Sequence, residues 1–201
     1  MSRRGRSGET CGLRLIRRTC KRSQVLTTMT GGEKCMSTAD VTVSYLRQYA
    51  LRLTTAESCT AGKIITLLSE VEGSGELIES GYVVYSPEAK QRWLNVSPKT
   101  LETFNLTSCE VAREMAVGAL RDSPANVALA TTGIFGPDDV DGIPAGTICF
   151  ARAFQTNQGQ SVFTRQLRLF GSRCEVQLAA AEHALEVLAH FHQRALTGEQ
   201  A

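Results

Sequence analysis

Residues 54–62 (TTAESCTAG) bring hydroxyl, carboxyl and thiol side chains together where a strand is expected to end and a helix to begin. Such a turn would present Ser58 in a position that suits a nucleophile. The free N–H groups of the helix's first turn, together with its dipole, could hold the oxyanion formed by attack on a carbonyl. Spacing alone also fits an ordinary helix cap, because Ser, Thr and Glu are common at helix starts. Both interpretations stay open at this point.

Two other readings of the same segment follow from its neighbours. Cys59 is a second candidate nucleophile, because a thiol at a helix N-terminus usually has a depressed pKa. The pair Gly62 and Lys63 could belong to a phosphate-binding loop, but Glu57 replaces the required first glycine and Ile64 stands where Ser or Thr is needed. The interpretation of this segment as a phosphate-binding loop is therefore rejected.

No metal site is expected from the sequence. The acidic run DDVD at 138–141 lacks the glycine and distal glutamate of a calcium loop and is expected to be a solvated turn. Three histidines on the closing helix have no Cys or carboxylate at matching spacing, and we expect them at the surface: His183, His190 and His192. The seven cysteines are scattered without a CxxC pair, which favours reduced thiols and a cytoplasmic location.

Hydrophobic periodicity and turn signals predict strands interspersed with helices along residues 37–195. Helices are expected after Ser37, just after Ser58, from Ser97 and from Ser108, and one long closing helix is expected over 172–195. Strands are expected at 51–55, 81–85, 126–132, 146–154 and 161–169. This pattern predicts an α/β fold, a layered α/β/α sandwich with a central mixed sheet.

Composition narrows the function classes. The chain has 201 residues, 42% hydrophobic and 21% charged, with a formal net charge of +2. No window holds the roughly 18 consecutive apolar residues of a spanning helix, so no membrane association is expected. The balance of charge does not indicate a nucleic-acid partner for the folded part.

The N-terminal part of the chain differs from the rest in its charge. Residues 1–40 hold nine basic and three acidic side chains, whereas 41–201 hold 13 and 17. Residues 1–35 are expected to be a basic disordered extension or to precede the true start, with Met29 or Met36 as alternative starts. A targeting peptide and a nucleic-acid-binding arm stay open. Residues 36–201 are expected to form the single folded domain.

Five strings occur in order along the chain: TAESCTAGKI, SGYVVYSPEAK, VAREMAVGAL, TTGIFGP and PAGTI. Together they resemble the CinA C-terminal domain family, the nicotinamide-nucleotide amidases that deamidate nicotinamide mononucleotide (NMN). The resemblance covers residues 36–201. The chain looks like the family's stand-alone form. Larger members of the family carry a further N-terminal nucleotide-processing domain.

The resemblance implies a catalytic pair. The serine of the family's AESC motif falls on Ser58, and the lysine ending its YSxEAK motif falls on Lys90. Tyr85 matches the tyrosine of the same motif. The implied reaction is hydrolysis of NMN to nicotinate mononucleotide and ammonia, with no metal or other cofactor. On spacing alone, Lys90 could instead face solvent on a helix, and Tyr85 could be a core residue.

The resemblance also implies a substrate-binding wall and a small-molecule partner, a pyridine nucleotide, bound by a homo-oligomer. Arg173, in the family's FxGxR motif, suits a phosphate because a guanidinium presents several donors, although a salt bridge at the helix start is an open alternative. The loop after the strand expected at 126–132 could equally be a plain turn. The implied binding residues are Glu57, Thr60, Gly62, Thr132, Gly133, Gly136 and Arg173.

Three departures from the family pattern put the substrate in question. Ala61 replaces a glycine, and Phe135 replaces an alanine where a large ring could reshape the pocket. The short acidic stretch at 138–144 replaces a longer glycine-rich one, and Ile143 cannot supply the family's usual lysine. Carboxylates near a phosphate would repel it unless they face solvent. A catalytically silent relative that binds a nucleotide or a protein is therefore the alternative hypothesis.

Overall fold

A computed structural model describes residues 36–199, so expectations for residues 1–35 lie outside the described residues. The helices are α1 Thr38–Gln48, α2 Lys63–Ser69, α3 Pro87–Leu94, α4 Pro98–Phe104, α5 Cys109–Arg121, α6 Arg173–Glu186 and α7 Leu188–Leu196. The strands are β1 Leu53–Glu57, β2 Ile78–Val83, β3 Val127–Gly133, β4 Thr147–Thr156 and β5 Gly159–Arg168. Within this part of the chain, no helix is both long enough and apolar enough to span a bilayer.

The strands form one mixed sheet in the order β2-β1-β3-β4-β5. Strand β1 is parallel to both β2 and β3, whereas β4 runs antiparallel to β3 and β5. The carboxyl ends of β1, β2 and β3 therefore meet at one edge of the sheet. In α/β folds, ligands bind at such an edge, just beyond the strand ends.

Helices cover both faces of this sheet, which confirms the predicted α/β/α layers. Side chains alternate between faces along each strand. One face carries large residues such as Leu129, Phe150 and Phe154, and α1, α2, α6 and α7 pack against it. The other face is built largely of alanines on β3 and β4, and α5 packs on it through residues such as Met115. Short side chains there let α5 approach the sheet closely.

Two helix boundaries differ from the sequence prediction. Helix α2 begins at Lys63 rather than just after Ser58, because residues 58–62 form a turn that includes a left-handed Gly62 with φ of 89°. The long closing helix is broken at Val187, between α6 and α7. The break accompanies long-range packing of α7, on which Phe191 and His192 are buried. His192 bonds Tyr45 across 2.9 Å, so the surface expectation for this histidine is wrong.

Glu57, the last residue of β1, holds the start of α2 in place. Its side chain is fully buried. Its carboxylate accepts hydrogen bonds of 2.9 to 3.2 Å from the amides of Gly62, Ile64 and Ile65. This carboxylate satisfies donors that an α-helix otherwise leaves unpaired at its first turn. It therefore fixes the turn that separates β1 from α2.

Arg152 is an unusual residue of β4. Its side chain lies on the face that carries Phe150 and is only 1% exposed. Its guanidinium has no hydrogen-bond acceptor among the described residues, and it lies over the rings of Phe150 and Phe191 at 5.5 and 4.9 Å. Burial, and to a lesser degree the nearby Arg165, lowers the pKa of Arg152 to about 10. A buried charge without an acceptor is costly.

Replacing Glu57 with Ala should lower the free energy of unfolding by about 2–3 kcal/mol, because three amides, all at least partly buried, lose their acceptor. Urea denaturation followed by circular dichroism measures this. Glu72→Ala, on the exposed loop after α2, is the control and should change stability by less than about 0.5 kcal/mol. Equal effects of the two substitutions would show that the carboxylate does not hold the turn.

Replacing Arg152 with Met should raise the free energy of unfolding by about 1 kcal/mol. The substitution removes an unpaired buried charge, and this gain exceeds the lost ring contacts. Arg121→Met, at an exposed position of α5, is the matched control and should change stability by less than about 0.5 kcal/mol. Destabilisation by Arg152→Met in the same denaturation assay would contradict this account of the guanidinium.

Candidate active site

Ser58 lies immediately beyond the end of β1, at the edge where the parallel strands finish. Its backbone amide donates to the carbonyl of Thr131 on β3 across 2.9 Å. This bond extends the pairing of β1 with β3 by one residue and sets the direction of the serine. The Ser58 side chain is 7% exposed and borders a cavity.

Lys90 approaches Ser58 from α3. Ser86 caps this helix, and Lys90 lies one turn further on. Helical side chains lean toward the N-terminus, so the lysine reaches back to the segment after β2. Its Nζ lies 2.9 Å from Oγ of Ser58 and donates to the carbonyls of Val84 and Tyr85 at 2.8 and 2.9 Å. Lys90 is 1% exposed, so the alternative of a solvent-facing lysine is wrong.

The surroundings of Lys90 shift its amine toward the neutral form, relative to an exposed lysine. Burial lowers the pKa of its amine to about 8. A neutral amine has two N–H groups and one lone pair. The two carbonyls accept the two N–H groups, which leaves the lone pair facing the serine hydroxyl. The arrangement can therefore accept the hydroxyl proton of Ser58 as that oxygen becomes a nucleophile.

Two expectations for the turn at 58–62 are corrected. Burial raises the pKa of the Cys59 thiol to about 12, so it stays protonated at neutral pH. The predicted depressed pKa is wrong, because α2 begins four residues later than that prediction needs. The first-turn amides of α2 were expected to hold an oxyanion, yet the Glu57 carboxylate already accepts hydrogen bonds from them.

Two adjoining cavities open at this edge of the sheet. The first, called here the nucleophile compartment, has a volume of about 400 Å³ and contains Ser58 and Lys90. The second, called the arginine compartment, measures about 310 Å³ and contains Arg173. The compartments share five lining residues: Cys59, Tyr85, Gly133, Ile134 and Val140. A ligand longer than one ring could therefore extend from one compartment into the other.

The end of β3, the loop after it and the start of α6 line these compartments. Thr132 and Gly133 border the nucleophile compartment, and Gly136 and Arg173 border the arginine compartment. The Thr132 hydroxyl donates to the carbonyl of Leu106 across 2.7 Å. That contact holds the loop between α4 and α5 against the end of β3.

Tyr85 is not a core residue, since its side chain is 61% exposed. Its hydroxyl accepts a hydrogen bond of 3.3 Å from Nη2 of Arg173. The contact of Tyr85 with the pair of Ser58 and Lys90 is made by its backbone carbonyl, which accepts a hydrogen bond from Lys90. Its side chain instead forms part of the wall shared by the two compartments.

Three of the implied binding residues line neither compartment and instead stabilise the turn at 58–62: Glu57, Thr60 and Gly62. The Thr60 hydroxyl is 2.7 Å from that of Thr131, and its carbonyl accepts a hydrogen bond from Gln177. Gly62 is the N-cap of α2. Beside it, Ala61 has φ of 52°, in the left-handed region that favours glycine.

Phe135 and the acidic loop occupy defined places at the site. Phe135 is 7% exposed, lines the arginine compartment and lies 5.5 Å beneath the guanidinium of Arg173. In the loop, Asp139 accepts the amide of Ala145 across 2.8 Å. Asp138 borders the arginine compartment, and Asp141 borders the nucleophile compartment.

The sequence did not reveal one wall of the nucleophile compartment. The helix α4 and the loop after it contribute Leu101, Asn105, Leu106 and Thr107. Asn105 accepts the amide of Thr107 at 2.9 Å, which makes this loop a compact turn. An Asn two residues before a Thr is a turn signal only, so nothing in the sequence assigned it to the site. Within residues 36–199, no three His, Cys, Asp or Glu side chains gather in a group able to hold a metal ion.

Comparison with known proteins agrees with this architecture. The family model described as the CinA C-terminal domain matches residues 36–192. A CinA-like protein of Chlorobium luteolum is 40% identical over 82% of this chain and 38% of its own length. Protein YdeJ of Escherichia coli is 42% identical over 65% of this chain and 74% of its own length. The chain spans 36–38% of the length of the first curated relatives it matches.

Solved structures extend the likeness to three dimensions. The competence/damage inducible protein from Agrobacterium tumefaciens is 36% identical with a TM-score of 0.71, covering 77% of this chain and 93% of that one. The competence-damaged protein (CinA) superfamily protein from Escherichia coli is 34% identical with a TM-score of 0.72, covering 77% and 90%. The residues matched by the family model include the whole sheet and the turn that carries Ser58. The chain belongs to the CinA C-terminal domain family.

Proposed function

We propose that this chain is an amidohydrolase that removes ammonia from the carboxamide of NMN or a related pyridine nucleotide. The observation that carries the proposal is the buried contact of 2.9 Å between Nζ of Lys90 and Oγ of Ser58. Two backbone carbonyls accept the remaining protons of the amine. A serine hydroxyl is a weak nucleophile near neutral pH and needs such a base.

In the first half of the reaction, the lone pair of Lys90 takes the hydroxyl proton while Oγ of Ser58 attacks the carboxamide carbon. The tetrahedral intermediate collapses when protonated Lys90 returns that proton to the amide nitrogen. The carbon–nitrogen bond breaks and ammonia leaves. The product of this half is an ester between the pyridine carboxyl group and Ser58.

In the second half, a water molecule replaces ammonia in the nucleophile compartment. Lys90 takes a proton from this water, which attacks the ester carbon. The ester bond breaks, and Lys90 returns the proton to Oγ of Ser58. The released product is the carboxylic acid, nicotinate mononucleotide when the substrate is NMN.

The two compartments suit the two ends of a pyridine nucleotide. The nucleophile compartment has apolar walls from Leu101, Leu106 and Ile134 that can contact a flat ring. The arginine compartment offers the guanidinium of Arg173, whose donors suit a phosphate. In this arrangement the ring amide faces Ser58 while the phosphate lies near Arg173.

Ser58→Ala and Lys90→Met should each reduce ammonia release from NMN by about a thousandfold or more, because each removes one member of the catalytic pair. Cys59→Ala should keep most of the activity. A coupled ammonia assay measures these rates, and thermal unfolding confirms that each variant is folded. Loss of activity in Cys59→Ala with retention in Ser58→Ala would reverse the assignment.

A parent protein that is folded and gains thermal stability from NMN, yet releases no ammonia, would favour the silent-relative hypothesis. The thermal-unfolding and ammonia measurements together distinguish the amidase from the silent relative, because binding and turnover are measured on one preparation. Turnover that disappears in Lys90→Met would favour the amidase.

The rate should depend on pH through Lys90. Its amine must be neutral to act as a base, and its pKa lies at about 8. We therefore expect kcat/KM for NMN to rise about tenfold per pH unit below that value and to level off above it. A flat profile between about pH 6 and about pH 9, a range that includes this pKa, would contradict this role.

A further inference from the structure

The acidic loop contributes an acidic residue, Asp141, to the lining of the nucleophile compartment. Among the described residues, the charged side chains that line this compartment are Lys90 and Asp141. Those lining the arginine compartment are Asp138 and Arg173. The carboxylate of Asp141 has no hydrogen bond or ion pair with any residue in the described range 36–199. Its negative charge is therefore available to a bound ligand.

The loop fixes the position of Asp141. Val140 and Ile143 exchange backbone hydrogen bonds of 3.1 and 2.9 Å, which closes a two-residue hairpin. The two residues between them, Asp141 and Gly142, have φ of 52° and 76°. Positive φ at both central positions is the type I′ pattern, for which Asp-Gly is a favoured pair. Asp141 thus lies at the tip of a closed turn, with Val140 and Ile143 lining the same compartment.

The charge of this compartment depends on Lys90. When the Lys90 amine is neutral, as catalysis requires, Asp141 leaves the compartment with a net negative charge. A ring that carries a positive charge is attracted to it, whereas a neutral ring of the same shape is not. Asp141 is exposed, so salt should weaken the attraction.

We infer that Asp141 is a specificity-determining residue that makes this site prefer carboxamides on a cationic ring, such as an N-substituted pyridinium, over neutral ones. The inference rests on the proposed function in placing a ring carboxamide in the nucleophile compartment and in taking the Lys90 amine as neutral. It also separates the roles of the acidic residues. Asp141 lines the compartment assigned to the ring, Asp139 holds the loop, and Asp138 lines the arginine compartment.

The test measures binding rather than turnover. In a Ser58→Ala background, NMR titration gives the affinities of nicotinamide and of the 1-methylnicotinamide cation, which differ by one methyl group and one charge. Asp141→Asn keeps the side-chain shape and removes the charge. It should lower the ratio of cation to neutral affinity about threefold to tenfold at low salt. This reduction should shrink at high salt.

Glu72→Gln is the matched control, because it removes the same charge from an exposed loop at the opposite end of the sheet. It should leave the ratio unchanged. An unchanged ratio in Asp141→Asn would overturn the inference, as would an equal loss for both ligands, which indicates a role in loop shape. Failure of both ligands to bind the parent background would also overturn it.

The outcomes separate this inference from the proposed function. Cation preference that depends on Asp141, in a parent protein that releases no ammonia from NMN, would support the inference and refute the amidase. Ammonia release from NMN with no effect of Asp141→Asn on the affinity ratio would support the amidase and refute the inference.

Discussion

The burial of one lysine amine among backbone carbonyls is the interaction on which the site depends. Lys90 is 1% exposed, and its Nζ contacts two carbonyls and one hydroxyl. Removing the amine from water disfavours its charged form. The two carbonyls stabilise the neutral amine by accepting hydrogen bonds from both of its N–H groups. A lysine in this setting can act as a base close to physiological pH, which an exposed lysine cannot do.

The rest of the fold holds the two partners of this contact in place. The parallel pairing of β1 with β2 and β3 brings the ends of these strands to one edge. The Glu57 carboxylate fixes the turn that presents Ser58, and the Ser86 cap starts the helix that delivers Lys90. The pair of Ser58 and Lys90 is therefore positioned by the end of β1 and by α3, whereas the loops at 105–107 and 137–145 line the two compartments.

Local signals in the sequence predicted the elements, and the resemblance to a known family supplied the pair of Ser58 and Lys90. Neither gave the contacts made by long-range packing. Serine caps marked the starts of α1, α5 and α6, and strand patterns gave the mixed sheet. The break at Val187 and the burial of His192 depend on how α7 packs on α1 and the sheet, which no short pattern encodes. Glu57 carries a carboxylate that could equally bind a ligand or a helix start. Only its three amide donors in the fold decide between these roles.

The most direct test of this account is a titration of the Lys90 side chain by heteronuclear NMR, with its signal assigned by its absence in Lys90→Met. The account predicts a midpoint near pH 8, since burial lowers the pKa of this amine to about that value. It also predicts that Ser58→Ala keeps the midpoint well below that of an ordinary lysine, because burial rather than the hydroxyl sets it. A midpoint near the ordinary value of about 10.4 would contradict the central claim that Lys90 is a neutral base for Ser58.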